Sequence, residues 1–229
     1  MASCATNAMR IRITFTKQGP LRYTGHLDLH KLWERAARRA ELPLAYSQGF
    51  HPQPKMSLAA ALPLGFSSTC EVLDMRLERD IPLDGLRERL NETLPPGIQV
   101  LGIEQSDERE PALQTQVASA EYKVKLTEPV DPSELKRRVE SALASESILR
   151  ERRGKKYDLR PLIESVEAAG DTIVMQLAAR EGATGRPEEV LDVLGIAFEE
   201  TRIERTRLIF RPPLSKEEIA SGDTTPPSQ

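Results

Sequence analysis

Hydrophobic and polar positions along this chain switch between two periods. Residues 10–16, Arg-Ile-Arg-Ile-Thr-Phe-Thr, alternate and include β-branched side chains, which predicts a strand. Lys17-Gln18-Gly19-Pro20 breaks it. Leu29, Leu32, Trp33, Ala36 and Ala40 then recur at helical spacing and predict a helix over about residues 27–41. Asp28 falls in its first turn, where the helix dipole favours a carboxylate, and Leu42-Pro43 stops it. Residues 45–54 are irregular, with Gly49, Pro52 and Pro54 as breakers. Residues 55–62 and 70–77 read as two strands joined by a turn over 63–68. Leu83, Leu86, Leu90 and Leu94 space a second helix, Pro95-Pro96-Gly97 ends it, and 98–103 is a strand. Strand, helix, strand, strand, helix, strand is the split βαβ, or ferredoxin-like, order.

Residues 104–117 are polar and poor in apolar side chains, as in a linker, and the order then begins again. Residues 121–126 form a strand, Asp131 and Pro132 start a helix striped by Leu135, Val139 and Leu143, and 146–157 read as a basic loop. Residues 159–166 are a strand candidate weakened by Pro161; 172–178 form a strand, 187–194 a short helix and 201–210 a last strand. The expected class is therefore α+β: two ferredoxin-like halves in tandem with antiparallel sheets. The first half spans 9–106, a linker 107–118, the second half 119–211, and a frayed polar tail 212–229. The halves share element order and no residue motif. The loop around 46–55 and the basic stretch around 152–160 occupy equivalent places, each after the first helix of its half and before the second strand.

A chain of 229 residues suits one large domain or two small ones. No apolar run approaches the roughly 20 residues needed to cross a bilayer, and the first ten residues carry no apolar signal core, so a cytoplasmic protein without a membrane partner is expected. Cys4 and Cys70 are the two cysteines; a disulfide framework is not expected, and no CxxC spacing supports a four-cysteine cluster or zinc site. The net charge of −3 hides two basic islands: residues 17–57 and residues 147–160 each carry a net +4. Basic islands on an acidic body suit an anionic partner, or are two solvated faces with ordinary ion pairs.

All three histidines, His26, His30 and His51, lie in the first island with the single Trp33. His26 and His30 share helical i, i+4 spacing and with His51 supply enough ligands for a metal, yet no HExxH accompanies them, so no metal and no cofactor is expected. Asp28 is a candidate acid or base, or a plain first-turn carboxylate. Trp33 lies on the apolar stripe and reads as core. Tyr46, Gln48, Phe50 and His51, near Lys55, combine aromatic faces and amide donors suited to unpaired bases, or else Tyr46 and Phe50 fill the core under the loop. Arg152, Arg153, Lys155 and Lys156 surround Gly154 and suit a phosphate backbone, with Tyr157, Asp158 and Arg160 tying the stretch to the body. No GxGxxG, P-loop or GxSxG motif occurs, and no residue is assigned a catalytic role.

The segment RITFTKQGPLRYTGHLDLHKLWERAARRAELPLAYSQGFHPQPKMSLAAALPLGFSS, with the later KKYDLRP, resembles the bacterial radical-SAM-linked domain of unknown function. In that family the domain stands alone or is fused behind a radical SAM protein. The resemblance covers nearly all of residues 9–211; its marks are Lys17, RYTGHLD, RRAELPLAYSQGFHPQPK and KYDLRP. It implies a bacterial cytoplasmic protein working with a radical SAM protein, and supplies no activity; this chain lacks the radical SAM cysteines, so cluster chemistry would sit on another polypeptide. The duplicated order is also similar to RNA-modifying and RNA-processing enzymes such as pseudouridine synthases and CRISPR repeat endonucleases, at the level of fold alone. Three readings follow. The first is an RNA-binding accessory module for tRNA or rRNA, contacting it through Lys17, Arg22, His26, Tyr46, Gln48, Phe50, His51, Lys55, Arg152, Arg153, Lys155, Lys156 and Arg160. The second is a protein-interaction scaffold without RNA contact. The third is an RNA-modifying enzyme using His26, Asp28 or His51.

Overall fold

A computed structural model describes residues 8–211. The alternating first stretch forms β1 (Met9–Lys17), which buries Ile11, Ile13 and Phe15 on one face. A 3-10 turn over Gly19–Tyr23 leads into α1 (His26–Arg39). This helix buries Leu29, Trp33, Ala36 and Ala37, and the Trp33 ring meets Phe15 edge-on with centroids 4.8 Å apart. The helix stops short of Pro43 because Glu41 takes a left-handed φ of 54° while Ala40 N–H still donates to the Ala36 carbonyl. The first half continues through β2 (Met56–Leu58), β3 (Ser67–Leu77), α2 (Leu86–Thr93) and β4 (Ile98–Ser106). A single helical turn, α3 (Leu113–Gln116), precedes β5 (Val117–Leu126). Next come α4 (Pro132–Ala144), β6 (Leu149–Arg152), β7 (Lys155–Asp158), β8 (Ile163–Ala169), β9 (Thr172–Arg180), β10 (Ala183–Thr184), α5 (Pro187–Val193) and β11 (Thr201–Phe210). Asp131 caps α4 as its sequence implies, its carboxylate accepting from Ser133 N–H at 2.8 Å.

The α+β class holds, in one nine-stranded sheet rather than two separate ones. Its order is β10-β9-β5-β11-β3-β1-β4, with β2 on β3 and β8 on β9. Within the first half the strands lie β2-β3-β1-β4, and within the second β8-β9-β5-β11, all antiparallel. The halves meet where β11 runs parallel to β3, pairing Glu204 with Ser67 and Arg205 with Ser68. Two hydrophobic cores result. One gathers Ile11, Ile13, Phe15, Leu73 and Met75 under Trp33, Leu86 and Leu90. The other gathers Tyr122, Val124, Ile173 and Met175 under Leu135, Val139 and Leu191, and takes in Ala59, Leu62, Phe66 and Val72 from the first half.

Several elements depart from the sequence reading. The basic stretch 146–157 is a β6–β7 hairpin turning on Arg153 (φ 51°) and Gly154 (φ 77°), the paired left-handed backbone of a two-residue hairpin turn. The strand expected over 55–62 shrinks to β2, because residues 59–66 leave the sheet edge to fill the second core. Pro161 sits in a 3-10 turn over Arg160–Leu162, which delays β8 to Ile163. Residues 107–118 are no free tether. The buried Arg10 donates to the carbonyls of Asp107, Glu110 and Pro111, and Leu113 is core. The tail expected over 212–229 lies outside the described residues.

A buried ion pair closes the seam. Arg205 and Glu71 are 1% and 2% exposed, and the guanidinium donates to both carboxylate oxygens at 2.6 Å. Its remaining donors reach the carbonyls of Ala60 and Ala61 at 3.1 and 3.2 Å. Burial disfavours the guanidinium charge, and the Glu71 carboxylate outweighs it, so the Arg205 pKa lies above its ordinary value. Removing one partner strands a buried charge, so Glu71→Gln or Arg205→Met should each cost about 3–5 kcal/mol. The paired Glu71→Leu/Arg205→Met change should recover most of that loss; urea unfolding followed by Trp33 fluorescence measures all three.

Candidate nucleic-acid interface

The parallel β3–β11 pairing decides where the two suspected loops go. β1 is antiparallel to β3 and β5 is antiparallel to β11, so β1 and β5 run the same way. α1 and α4 return from them in the same sense, and the segments that follow these helices stand at the same end of the sheet. Local bonding agrees. Leu44 bridges Leu77 at the end of β3, while Arg152 of the hairpin reaches the Thr184 carbonyl on β10, which pairs with the end of β9.

The first-half loop is tied at its neck and open at its tip. Tyr46 bridges Pro54, Ser47 N–H donates to the Gln53 carbonyl at 2.8 Å, and Gln53 N–H donates to Ser47 Oγ at 2.9 Å. Gln48, His51 and Lys55 are exposed, and Phe50 is 101% exposed, so it does not fill the core. Tyr46 is half-buried and already engaged: Arg38 Nε donates to its hydroxyl at 3.1 Å and the guanidinium lies 5.8 Å from its ring. Phe50 is therefore the free aromatic of this loop.

In the second-half hairpin the cations divide into two groups. Arg152 pairs with Glu189 at 2.6 Å and lies 4.9 Å from the Tyr157 ring; Arg150 pairs with Asp192 at 2.8 Å. Arg160 donates to the carbonyls of Leu143 and Ile163, both at 3.1 Å. The Asp158 carboxylate accepts from Ile148 and Arg160 N–H, which holds its pKa below the usual carboxylate range. These residues fix the hairpin to the body: Arg160 ties the stretch down as its sequence place implies, and Arg152, expected to face a phosphate backbone, is already engaged by Glu189. Arg153, Lys155 and Lys156 remain exposed at the tip, with no ion pair among the described residues.

Three other expected RNA-binding residues and the remaining histidine lie elsewhere. Lys17 is 1% exposed, with its ammonium donating to the Thr24 carbonyl at 2.9 Å; burial first, then Arg205, lower its pKa against the pull of Glu71. It is a structural cation and not a surface one. Arg22 stacks on Tyr23 at 4.7 Å and donates to its hydroxyl at 2.8 Å. Arg22 and His26 stand at the start of α1 while loop 46–55 follows its end, about 20 Å away along a helix of 14 residues. His30 is half-buried with Nε2 3.3 Å from the Met56 carbonyl, and His51 is at the loop tip, so the histidines do not converge. Among the described residues no group of three His, Cys, Asp or Glu side chains is placed to hold a metal.

Sequence reading passed over an exposed aromatic pair at the seam. Tyr23 is 62% and Phe198 39% exposed, beside Leu64 at 60%. Gly65, at φ 87°, lies between them, with a ring atom of each 3.9 Å from where its Cβ would stand. Phe198 stacks on the buried Phe66, centroids 5.9 Å apart. The two aromatics are 175 residues apart in the chain and only the β3–β11 junction joins them, so no local pattern announces them.

The model of one protein family, described as an uncharacterized protein conserved in bacteria (DUF2344), matches residues 10–187. No curated protein matches the chain. Among solved structures the chain is similar to a Cbf5-Nop10-Gar1 complex, with TM-score 0.44 and 10% identity over 86% of this chain and 48% of that one. It is similar to the archaeal box H/ACA sRNP Nop10-Cbf5 complex, with TM-score 0.39 and 13% identity over 86% and 47%. The small subunit of acetolactate synthase from Thermotoga maritima gives TM-score 0.25 and 13% identity over 90% and 99%. The chain spans about half the length of the first two.

One potential nucleophile is set aside by its surroundings. Burial pushes the Cys70 thiol up to about 11, against the hydrogen bond from Ser68. In a Cys4→Ser variant at pH 8, labelling of Cys70 by a disulfide reagent should run at least about a hundredfold slower than in the urea-unfolded chain. Labelling of the folded protein at the unfolded rate would show an open thiol.

Proposed function

The chain belongs to the DUF2344 family of uncharacterized proteins conserved in bacteria, and we propose that it is an RNA-binding accessory module for RNA modification or processing. The observation that carries this reading is the pairing, at one end of the sheet, of free cations on the hairpin tip with a fully exposed Phe50 on the equivalent loop. Cations set affinity for a phosphate backbone without regard to sequence, and an exposed ring stacks on any unpaired base. Gln48, His51 and Lys55 add donors and charge around that ring. A single-stranded or loop region of a tRNA or rRNA has both features. We read residues 9–106 and 119–211 as tandem ferredoxin-like copies, a view supported by their shared strand order. The resemblance of the RYTGHLD and KYDLRP segments supplies a radical SAM protein as the partner whose chemistry acts on the RNA, and the cytoplasm as the place. No helix of the described residues is long and apolar enough to cross a membrane.

A protein contact is favoured by one further observation, the apolar patch of Tyr23, Leu64 and Phe198 at the seam. A scaffold that binds the radical SAM protein through this patch is compatible with RNA at the far loops. The enzyme reading is not carried forward, because His26 and Asp28 stand at the start of α1 while His51 stands beyond its end.

Lys155→Ala/Lys156→Ala should weaken binding of a single-stranded RNA and flatten its log–log salt dependence by about 0.7 for each phosphate no longer neutralised. Phe50→Ala should weaken binding by roughly 1–3 kcal/mol per stacked base with the salt slope unchanged. Filter binding across a salt series, on variants matched to the parent by circular dichroism and melting, measures both. A parent that binds no RNA at low salt, or a double lysine variant that keeps its slope, favours the scaffold.

A further inference from the structure

We infer that the groove between α1 and α2 is a binding site for a nucleoside phosphate. The groove has a volume of about 590 Å³, within the range of small-molecule sites. Its α1 wall presents Lys31, Arg35 and Arg39, exposed and four residues apart, so their side chains form a ladder with a rise of about 6 Å per rung. Among the described residues none of the three makes an ion pair; the neighbouring Arg38, by contrast, pairs with Glu34 at 2.8 Å. Three unpaired cations on one helix face repel each other, and a bound phosphate relieves that repulsion while accepting charge-assisted hydrogen bonds.

The rest of the lining distinguishes the ligand. Asp28 and Glu92 also face the groove, and neither is paired with the ladder. Carboxylates repel a second phosphate and an acidic peptide, but accept from sugar hydroxyls and from the amino groups of a base. The floor is apolar, formed by Leu32, Ala36, Leu94 and Pro95, and the Thr93 hydroxyl is spent on the carbonyls of Ala36 and Leu90 at 3.2 and 2.8 Å. A cation wall for phosphate, carboxylates for hydroxyl or amino groups and an apolar floor for a ring together describe a nucleotide. The same chemistry comes from a free nucleotide or from the end of an RNA strand. This site is separate from the loops at the end of the sheet and does not rest on them.

Backbone amide NMR of the full chain tests this with four probes: adenosine 5′-monophosphate, a pentanucleotide RNA, adenosine and inorganic phosphate. Resonances of residues 28–36 and 92–95 report the groove, and those of 46–55 and 149–158 report the loops, so failure at one is separable from failure at the other; Arg38 and its neighbours are left out because Arg38 bonds Tyr46 of the loop. The monophosphate or the pentanucleotide should shift the groove resonances and bind about tenfold or more tightly than adenosine or inorganic phosphate. A shift from the monophosphate identifies a free nucleotide as a source, and one from the pentanucleotide alone identifies a strand end. Arg35→Glu/Arg39→Glu, or Arg35→Gln/Arg39→Gln if the first pair does not fold, should reduce that affinity about tenfold or more. Absence of groove shifts with both nucleotide probes, equal binding of inorganic phosphate, or retained affinity in the folded arginine variant would overturn the assignment.

Discussion

The buried pair of Arg205 and Glu71 is the interaction on which the arrangement of the two halves depends. β11 and β3 share only two residue pairs, a short junction on which to align two bodies. The seam is reinforced by polar bonds of fixed direction: Ser68 Oγ donates to the Arg205 carbonyl at 3.2 Å, and the Gln18 amide donates to Glu204 at 2.8 Å and to the Ser68 carbonyl at 3.1 Å. A bidentate guanidinium with further carbonyl acceptors tolerates little sliding, because each broken bond leaves a buried donor unpaired. Packing alone would be less exacting, since Phe66 meets both Tyr122 and Phe198 through ring contacts that shift at small cost. The same parallel register makes β1 and β5 run together and so brings the two candidate loops to one end of the sheet.

The elements set by hydrophobic period were readable from the residues themselves. β1 and α1 follow their alternation and their apolar stripe to within a few residues, and Trp33 is core as its place on the stripe implies. The β6–β7 hairpin was not readable, because Leu-Arg-Glu-Arg and Lys-Lys-Tyr-Asp carry no apolar face to alternate. It is held by the Arg153-Gly154 turn and by Arg152 on Glu189, a partner 37 residues away. Charged residues misled for a related reason. Arg10, Lys17, Glu71, Asp74 and Arg205 are all buried, and a polar residue inside an alternating strand reads as solvent-facing until its partner on another strand is known. Arg10 and Arg12, for example, both close on Asp74 across the β1–β3 register.

Functionally, the useful division is between cations already engaged by the fold and cations left over. Lys17, Arg152, Arg160 and Arg205 belong to the first group and are structural members. Arg153, Lys155 and Lys156 at the hairpin tip, and Lys31, Arg35 and Arg39 on α1, belong to the second. The net charge of −3 conceals this, because it sums over the chain and does not separate Arg152 and Arg205, paired with carboxylates, and Lys17 and Arg160, held by backbone carbonyls, from the cations left over. The proposed strand on the end loops and the proposed nucleotide site on the helix layer would draw on these six leftover cations. The seam patch of Tyr23, Leu64 and Phe198 leaves room on another side for a protein.

If loop 46–55 and hairpin 149–158 form one surface, they hold one RNA molecule together. Ultraviolet crosslinking of the folded chain to a short single-stranded RNA at one-to-one stoichiometry, with the crosslinked peptides mapped by mass spectrometry, tests this directly. Peptides containing Phe50 and peptides containing Lys155 and Lys156 should both carry the nucleotide adduct, and both adducts should fall together when either single change, Glu71→Gln or Arg205→Met, loosens the seam. Adducts on one loop alone, or on neither, would contradict a shared surface.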